Sequence, residues 1–383
     1  MQRRSWSRRY QFLVAFLVLL AVPALAGGRK PLRFPDIPGY ETLVCDFHLH
    51  TVFSDGTVWP TVRVEEAWRE GLDAIALTEH LEARHHRAEV TGTSNTSFEK
   101  AMARAQELGL ILIRGGEITR SMPPGHFNAI FLSDAEPLAV DDWRRAIKAA
   151  IDQGAFIFWN HPGWRQPGTI PVWYDEHTEL LQKGWLHGIE LVNSHEYYPD
   201  AQTWCTEKNL TLLGNSDAHD PVALEYDLAA GEHRPLTLVF ARQRSVEAIK
   251  EALHARRTVV YCGNLLLGED KFLQALFEQG VSVVNQGLEV VAGRSAELQV
   301  HNSLPVALEL AAEGEGDYLA PPDKVNLPAE RISLVRLRAA QSARKGSGRA
   351  LLHFRVENMR VAPGQGLRVS IPVKITMREP GQR

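Results

Sequence analysis

From Leu43 to about Val260 the chain alternates short apolar runs with amphipathic segments, and this alternation constrains the fold more than any other feature. The runs are "LVCDFHLH", "DAIALTEH", "LILIRGGEI", "FNAIFL", "AFIFWNH", "GIELVN", "LTLLGNSD" and "PLTLVFA". Between several of them lie "TVRVEEAWREG", "SFEKAMARAQELG", "DDWRRAIKAAIDQG" and "SVEAIKEALHARR", in which apolar residues recur at spacings of three and four and Gly often ends the helix. Strands alternating with helices predict an α/β domain with a largely parallel sheet, and seven or eight such units predict a barrel.

From about Gly263 the pattern changes. One helix, "DKFLQALFEQG", is followed by "GLEVVAG", "AELQVHNS", "VALELAAE", "ALLHFRVENMRV" and "GLRVSIPVKITM". Their period-two alternation between Gly, Pro and Asn punctuation predicts a small antiparallel sandwich of about a hundred residues. "GEGDYLAPPDKVNLPAE" and "QSARKGSG" read as loops between strands, and few residues of chemical interest occur there. The expected organisation is an export signal over 1–26, a barrel over 27–262, and a linker helix with a β-sandwich over 263–383.

The export signal rests on three features in order. "MQRRSWSRRY" is basic, "FLVAFLVLLAV" is apolar, and Ala24 and Ala26 offer the small-x-small pattern of a signal-peptidase site. The alternative is an uncleaved membrane anchor, but the apolar run is short for one. Cleavage near Gly27 would leave no stable membrane span and a periplasmic or secreted protein, and "SRRYQFL" approaches a twin-arginine signal. Three cysteines, Cys45, Cys205 and Cys262, leave at least one unpaired in a monomer. Cys45 lies on the first strand and reads as packing. A net charge of -4 gives no basic field of the kind that attracts a nucleic-acid backbone. Oligomeric state is not legible.

The residues that can carry chemistry gather at the ends of the expected strands. "FHLHTVFSDG" supplies His48, His50 and Asp55, "ALTEH" supplies Glu79 and His80, and "RGGEIT" supplies Glu117. "PPGHFNAI" supplies His126, "WNHPG" supplies His161, and "GNSDAHD" supplies Asp217 and His219. In an extended chain alternate side chains point the same way, so His48 and His50 share a face. Taken singly, His126 reads as a turn residue, His161 as a capped strand end, and Asp217 and His219 as a helix N-cap region. Together they converge on one face of a parallel barrel, where such barrels carry their sites. Imidazole with carboxylate suits Zn, Mn or Fe.

This ordered set resembles the PHP family, the polymerase and histidinol phosphatase domains, over roughly Asp46 to Gly263. The resemblance implies a distorted (β/α)7 TIM-like barrel with a site for three divalent metal ions. It implies that His48, His50, Glu117 and Asp217 hold one ion, that Glu117 bridges to a second bound by His126 and His161, and that Asp55, His80 and His219 hold the third. Glu79 stands where family members more often have Asp, and it is expected to orient rather than ligate. The implied chemistry is phosphoester hydrolysis, with a water brought toward neutrality in pKa as nucleophile and with activity failing in acid as protons compete for the histidines.

For the substrate's phosphate the sequence offers Arg120, Arg165 and His195, each of which also reads as a solvated loop residue. Trp164, Trp173, Tyr174, Tyr197 and Tyr198 can wall a pocket for an aryl group or can be ordinary packing. The export signal and the extra β domain resemble the organophosphate-diesterase branch of the family. The expectation is therefore an exported phosphodiesterase acting on a small-molecule phosphate ester. A phosphomonoesterase or nuclease is the near alternative, and a non-catalytic exported metal-binding protein is the distant one.

Overall fold

The computed structural model describes residues 28–29, 32–314, 319–339 and 346–378; the expected export signal and most of "QSARKGSG" lie outside them. The first part of the chain forms β1 (Glu41–Asp46), β2 (Ala74–Leu77), β3 (Ile111–Ile118), β4 (Phe127–Ile130), β5 (Phe156–Trp159), β6 (Gly188–Asn193), β7 (Glu196–Tyr197), β8 (Thr211–Asn215), β9 (Leu236–Ala241), β10 (Thr258–Cys262) and β11 (Leu265–Gly268). Between them lie α1 (Pro60–Glu70), α2 (Thr96–Leu108), α3 (Trp143–Asp152), α4 (Asp175–Gln182), α5 (Pro199–Lys208), α6 (Val222–Glu225) and α7 (Val246–His254). Local chemistry sets several helix limits. Pro60 opens α1 and Gly71, at φ 95°, closes it, whereas the Asp142 side chain accepts from the Arg144 and Arg145 N–H groups to start α3.

Strands pair in the order β9, β1, β2, β3, β4, β5, β6, β8. Pairs β1 to β2, β2 to β3, β5 to β6 and β6 to β8 are parallel. Pairs β3 to β4, β4 to β5 and β1 to β9 are antiparallel, so the sheet is less uniformly parallel than its sequence pattern predicts. The reason at β4 is connection length. Residues 119–126 are too few for a helical crossover, which needs about a dozen residues, and the chain turns straight back. His126 consequently precedes its strand rather than following it, and still arrives at the end of the sheet where the other candidate ligands sit.

Side chains help close the barrel between β8 and the antiparallel pair β9 and β10. The Thr237 hydroxyl accepts from the Gly214 N–H at 3.0 Å and lies 2.9 Å from the Gly214 carbonyl, while the Thr258 hydroxyl donates to the Leu212 carbonyl at 2.8 Å. Gly214 permits this approach: a Cβ there would lie 2.3 Å from a Val260 methyl.

The second part begins with α8 (Asp270–Gly280) and continues through β12 (Val281–Val283), β13 (Leu288–Val291), β14 (Ser295–Asn302), β15 (Leu308–Ala312), β16 (Leu319–Ala320), β17 (Lys324–Leu327), β18 (Arg331–Ala339), β19 (Gly346–Ala362) and β20 (Gln365–Arg378). One sheet is β12, β14, β18, β16, all antiparallel. Facing it are β13, β20, β19, β15 and β17, where only β13 to β20 is parallel. Leu298, Val300 and Val335 of the first sheet bury against Leu310, Leu327, Phe354 and Ile371 of the second, which is the alternation expected of a sandwich. The two parts share a sheet, because β11 pairs in parallel with β19. The Asn358 amide reinforces the join by donating to the carbonyls of Asn264 and Ala307, both at 2.7 Å.

Cys45, Cys205 and Cys262 are all unpaired, and Cys45 is wholly buried. Among the described residues no helix is long and apolar enough to cross a membrane.

One core histidine carries a pH prediction. His177 is buried against Trp159, with ring centroids 3.8 Å apart. Its Nδ1 accepts from the Tyr174 N–H at 3.0 Å and its Nε2 reaches the Pro124 carbonyl at 2.8 Å, so the neutral ring is fully paired. Burial pushes its pKa down to about 4, against an ordinary 6.5. Between those values the unfolded chain binds a proton that the native chain refuses, so stability falls as pH falls through that window, by up to about 1.4 kcal/mol per unit. Denaturation of wild type and His177→Gln from pH 7.5 to 4.5 should show the gap between them changing with this slope. A constant gap would refute it.

Candidate metal centre

The β1 strand ends at Asp46 and its extended direction carries on to His50, which brings the Nε2 atoms of His48 and His50 within 3.1 Å. Glu117 comes from the end of β3, His126 from the entry to β4, His161 from just beyond β5, and Asp217 and His219 from the turn after β8. His161 and Asp217 both adopt positive φ, 26° and 55°, a conformation costly for such residues and concentrated at functional sites. Arg63, fully buried on α1, fastens the turns together by donating to the carbonyls of His50 at 2.9 Å, Ala218 at 2.9 Å and Asp220 at 2.8 Å.

Hydrogen bonds fix the two leading imidazoles. Glu190 Oε1 lies 2.9 Å from His48 Nδ1, so that nitrogen carries the proton and Nε2 presents a lone pair. His50 Nδ1 lies 3.2 Å from the Ser54 hydroxyl, whose own proton goes to Glu79 Oε2 at 2.6 Å; His50 Nε2 is thereby also a lone pair. These two lone pairs face each other. Glu117 Oε2 lies 3.4 and 3.2 Å from them, and Asp217 Oδ1 lies 3.1 Å from both. Neither carboxylate oxygen has a hydrogen-bond partner, although both are buried. Four lone-pair atoms at such separations repel unless a cation lies among them. The spacing matches the edge of a tetrahedral site with metal bonds near 2.1 Å, about 3.4 Å.

The other Glu117 oxygen, Oε1, lies 2.8 Å from His126 Nδ1 and 3.7 Å from His161 Nε2. Asp55 places Oδ1 3.2 Å from His219 Nε2 and Oδ2 3.4 Å from His80 Nε2, and its Oδ1 is a third buried oxygen without a partner. All nine candidates, His48, His50, Asp55, His80, Glu117, His126, His161, Asp217 and His219, fall in groups whose ligand atoms lie within 4.8 Å of one another. The residues fit a multi-metal cluster.

Charge tells the same story. Burial pushes the His80 pKa down, but Glu117 and Asp55 outweigh it and raise it to about 11; His219 rises to about 9 against its burial through Asp55 and Asp217. Burial raises Glu117 and Asp217, yet the surrounding histidines bring both well below the usual carboxylate range. This pocket of three carboxylates demands positive charge.

The sequence reading missed Glu190. It sits in the fully buried strand "GIELVN" and accepts from His48 Nδ1, the His161 N–H at 2.8 Å, and the Asn193 and Asn215 amides, each at 2.9 Å. An acid inside an otherwise apolar strand was the available signal. Four donors converge on this carboxylate, and an amide would turn one acceptor into a donor. Glu190→Gln should weaken metal binding about 10- to 100-fold in competitive chelator titration, as loss of an outer partner of a ligand does. Unchanged affinity would show that Glu190 merely fills space. Glu79 does not approach the cluster; it accepts from the Thr51 N–H, the Thr51 hydroxyl and Ser54, and so reaches His50 through Ser54.

A cavity of about 610 Å³ opens above the centre, lined among others by Asp55, His80, His126, His161, Arg120, Arg165, Trp164 and Met122. His195 is exposed, packs on the Tyr226 ring at 4.8 Å, and is not among the lining residues. Trp173 packs on Trp159 and Trp204 instead of facing the cavity.

The family description of the PHP domain matches residues 46–254. The chain belongs to the PHP family. A two-domain protein from Bacteroides vulgatus, described as containing a predicted PHP-like metal-dependent phosphoesterase, is 44% identical and covers 90% of this chain and 99% of its own, with a TM-score of 0.84. Two more distant structures each cover 46% of the chain. One is a candidate metal-dependent phosphoesterase from Bifidobacterium adolescentis, 19% identical over 87% of its length with a TM-score of 0.35. The other is an amidohydrolase from Chromobacterium violaceum with bound sulfate and no metal, 16% identical over 88% of its length with a TM-score of 0.37. No curated protein matches. The chain is thus a PHP-superfamily phosphoesterase with a barrel, a β domain and clustered candidate metal ligands.

Proposed function

We propose that this PHP protein is an exported phosphodiesterase that holds three divalent ions, Zn, Mn or Fe. His48, His50, Glu117 and Asp217 form the first site, Glu117, His126 and His161 the second, and Asp55, His80 and His219 the third. The observation that carries the metal assignment is the pair of opposed imidazole lone pairs with Glu117 Oε2 and Asp217 Oδ1 unpaired beside them. When bound, such ions neutralise charge on the transferring phosphoryl group and bring a water's pKa toward neutrality. The chain's own part is to hold the ligands in one tautomer through Glu190, Ser54 and Glu79, and to offer a cavity of about 610 Å³, ample for a phosphate with a substituent on each side. Export is supported by the basic, apolar and small-residue order of residues 1–26.

The deciding experiment is hydrolysis of a matched aryl phosphodiester and its monoester by the metal-loaded mature protein at equal concentration and neutral pH. Faster cleavage of the diester supports the proposal. Faster cleavage of the monoester makes the protein a phosphomonoesterase, and cleavage of neither rejects the catalytic reading in favour of metal binding alone. Fewer than three ions per chain would reject the three-ion site, and fewer than two would favour a non-catalytic metal-binding protein.

A further inference from the structure

Two arginines line the cavity, and they are not equivalent. Arg120 is committed: it pairs with Glu82 and donates to the carbonyls of Val140 and Thr119, both at 2.6 Å, and of Asp141 at 3.3 Å. Its charge is neutralised and four of its five N–H donors are used. Arg165 makes no hydrogen bond or ion pair among the described residues. Its guanidinium carbon lies over the Trp164 indole, 4.2 Å from the ring centroid. The same indole lies 4.7 Å from the His126 ring and 5.4 Å from the His161 ring, so the guanidinium sits one ring away from two candidate ligands.

The segment presenting this pair is rigidly built. The Trp164 N–H donates to the His161 carbonyl at 2.8 Å and the Gln166 N–H to the Gly163 carbonyl at 3.0 Å. Gln166 is buried and accepts from the Tyr174 hydroxyl at 3.0 Å. Gly163 is required there, since a Cβ would lie 2.1 Å from the Thr169 carbonyl oxygen. Arg165 itself takes φ 54°. A backbone so constrained holds an exposed guanidinium at the cavity with its fork of N–H donors unspent.

We propose that Arg165 binds the substrate's phosphate oxygens and that Trp164 is its positioning residue. The inference rests on the phosphoesterase reading and assigns the anion-binding group within it. A planar guanidinium matches two phosphate oxygens at once, and a cation–π contact with an indole restricts where it sits before the anion arrives. Arg120 has a structural role instead, tying the turn after β3 to the loop that carries Glu82.

The test is equilibrium binding of inorganic phosphate to the manganese-loaded full chain by calorimetry, with metal content measured on the same samples. Arg165→Ala should weaken phosphate binding about 10- to 100-fold at unchanged metal content. Trp164→Ala should weaken it about 3- to 10-fold, and Arg165→Lys should recover only part of the loss, because an ammonium neither stacks flat nor binds two oxygens in parallel. In hydrolysis of the aryl diester, the loss in Arg165→Ala should fall mainly on KM. The assignment is overturned if Arg165→Ala binds phosphate within twofold of wild type, if its metal content falls, if wild type binds no phosphate at millimolar concentration, or if Arg120→Met alone produces the loss. Phosphate binding that depends on Arg165 in a protein that cleaves no ester would keep this assignment while rejecting the diesterase.

Discussion

Glu117→Ala should lower hydrolysis by on the order of a thousandfold and release more than one ion per chain. The rate loss corresponds to about 4 kcal/mol, the scale of charge stabilisation that a metal supplies to a phosphoryl group. The larger metal loss follows from its two oxygens. Oε2 stands beside His48 and His50, and Oε1 beside His126 and His161, so one side chain serves two sites. Asp217→Ala should lower the rate comparably and release less metal, since its Oδ1 faces the His48 and His50 pair and its Oδ2 is 3.9 Å from His161. Metal analysis beside activity, with circular dichroism to verify folding, separates the two. Full metal content in folded Glu117→Ala would contradict the bridging assignment.

The largest stability effect is expected at Arg234. This guanidinium is fully buried, lies 3.1 Å from Asp46 Oδ2 and pairs through Nη2 with Glu70 Oε1 at 2.5 Å. Asp46 in turn accepts from the Ser216 hydroxyl at 2.6 Å and from the backbone N–H groups of Ser216 and His48. Arg234→Met leaves the Asp46 carboxylate buried without its cation, and removal of one partner of such a pair costs about 3–5 kcal/mol. Urea denaturation measures it. The double variant Asp46→Asn with Arg234→Met should recover part of the loss, because no charge is then stranded; a loss below about 1 kcal/mol in the single variant would show that the pair does not tie the structure.

Local patterns were legible in the sequence, and long-range partnerships were not. "DKFLQALFEQG" coincides with the helix at Asp270–Gly280, because its limits are set by near neighbours. The parallel β1, β2 and β3 and the sandwich strands β13, β14, β15, β19 and β20 likewise follow from periodicity, whereas β12 and β18 were not singled out and the stretch read as a loop, "GEGDYLAPPDKVNLPAE", contains the short strands β16 and β17. The reversal at β4 was hidden, since an apolar four-residue strand reads the same in either direction, and only the short connection before it decides. In the centre, His48 and His50 could be paired from their spacing of two. Glu190 could not be assigned, because its work is to receive groups from three distant segments, and neither Arg120 nor Arg165 could be ranked until Glu82 was seen beside only one of them.

The sheet that passes from β10 through β11 into β19 makes the two parts of the molecule hard to inherit separately. A gene ending after Gly268 would encode a barrel whose outermost strand, β11, has lost its β19 partner at Leu266 and Leu267 and offers its bare backbone to any passing chain, the usual seed of aggregation. The sandwich thus guards an edge that the barrel's own strands leave open.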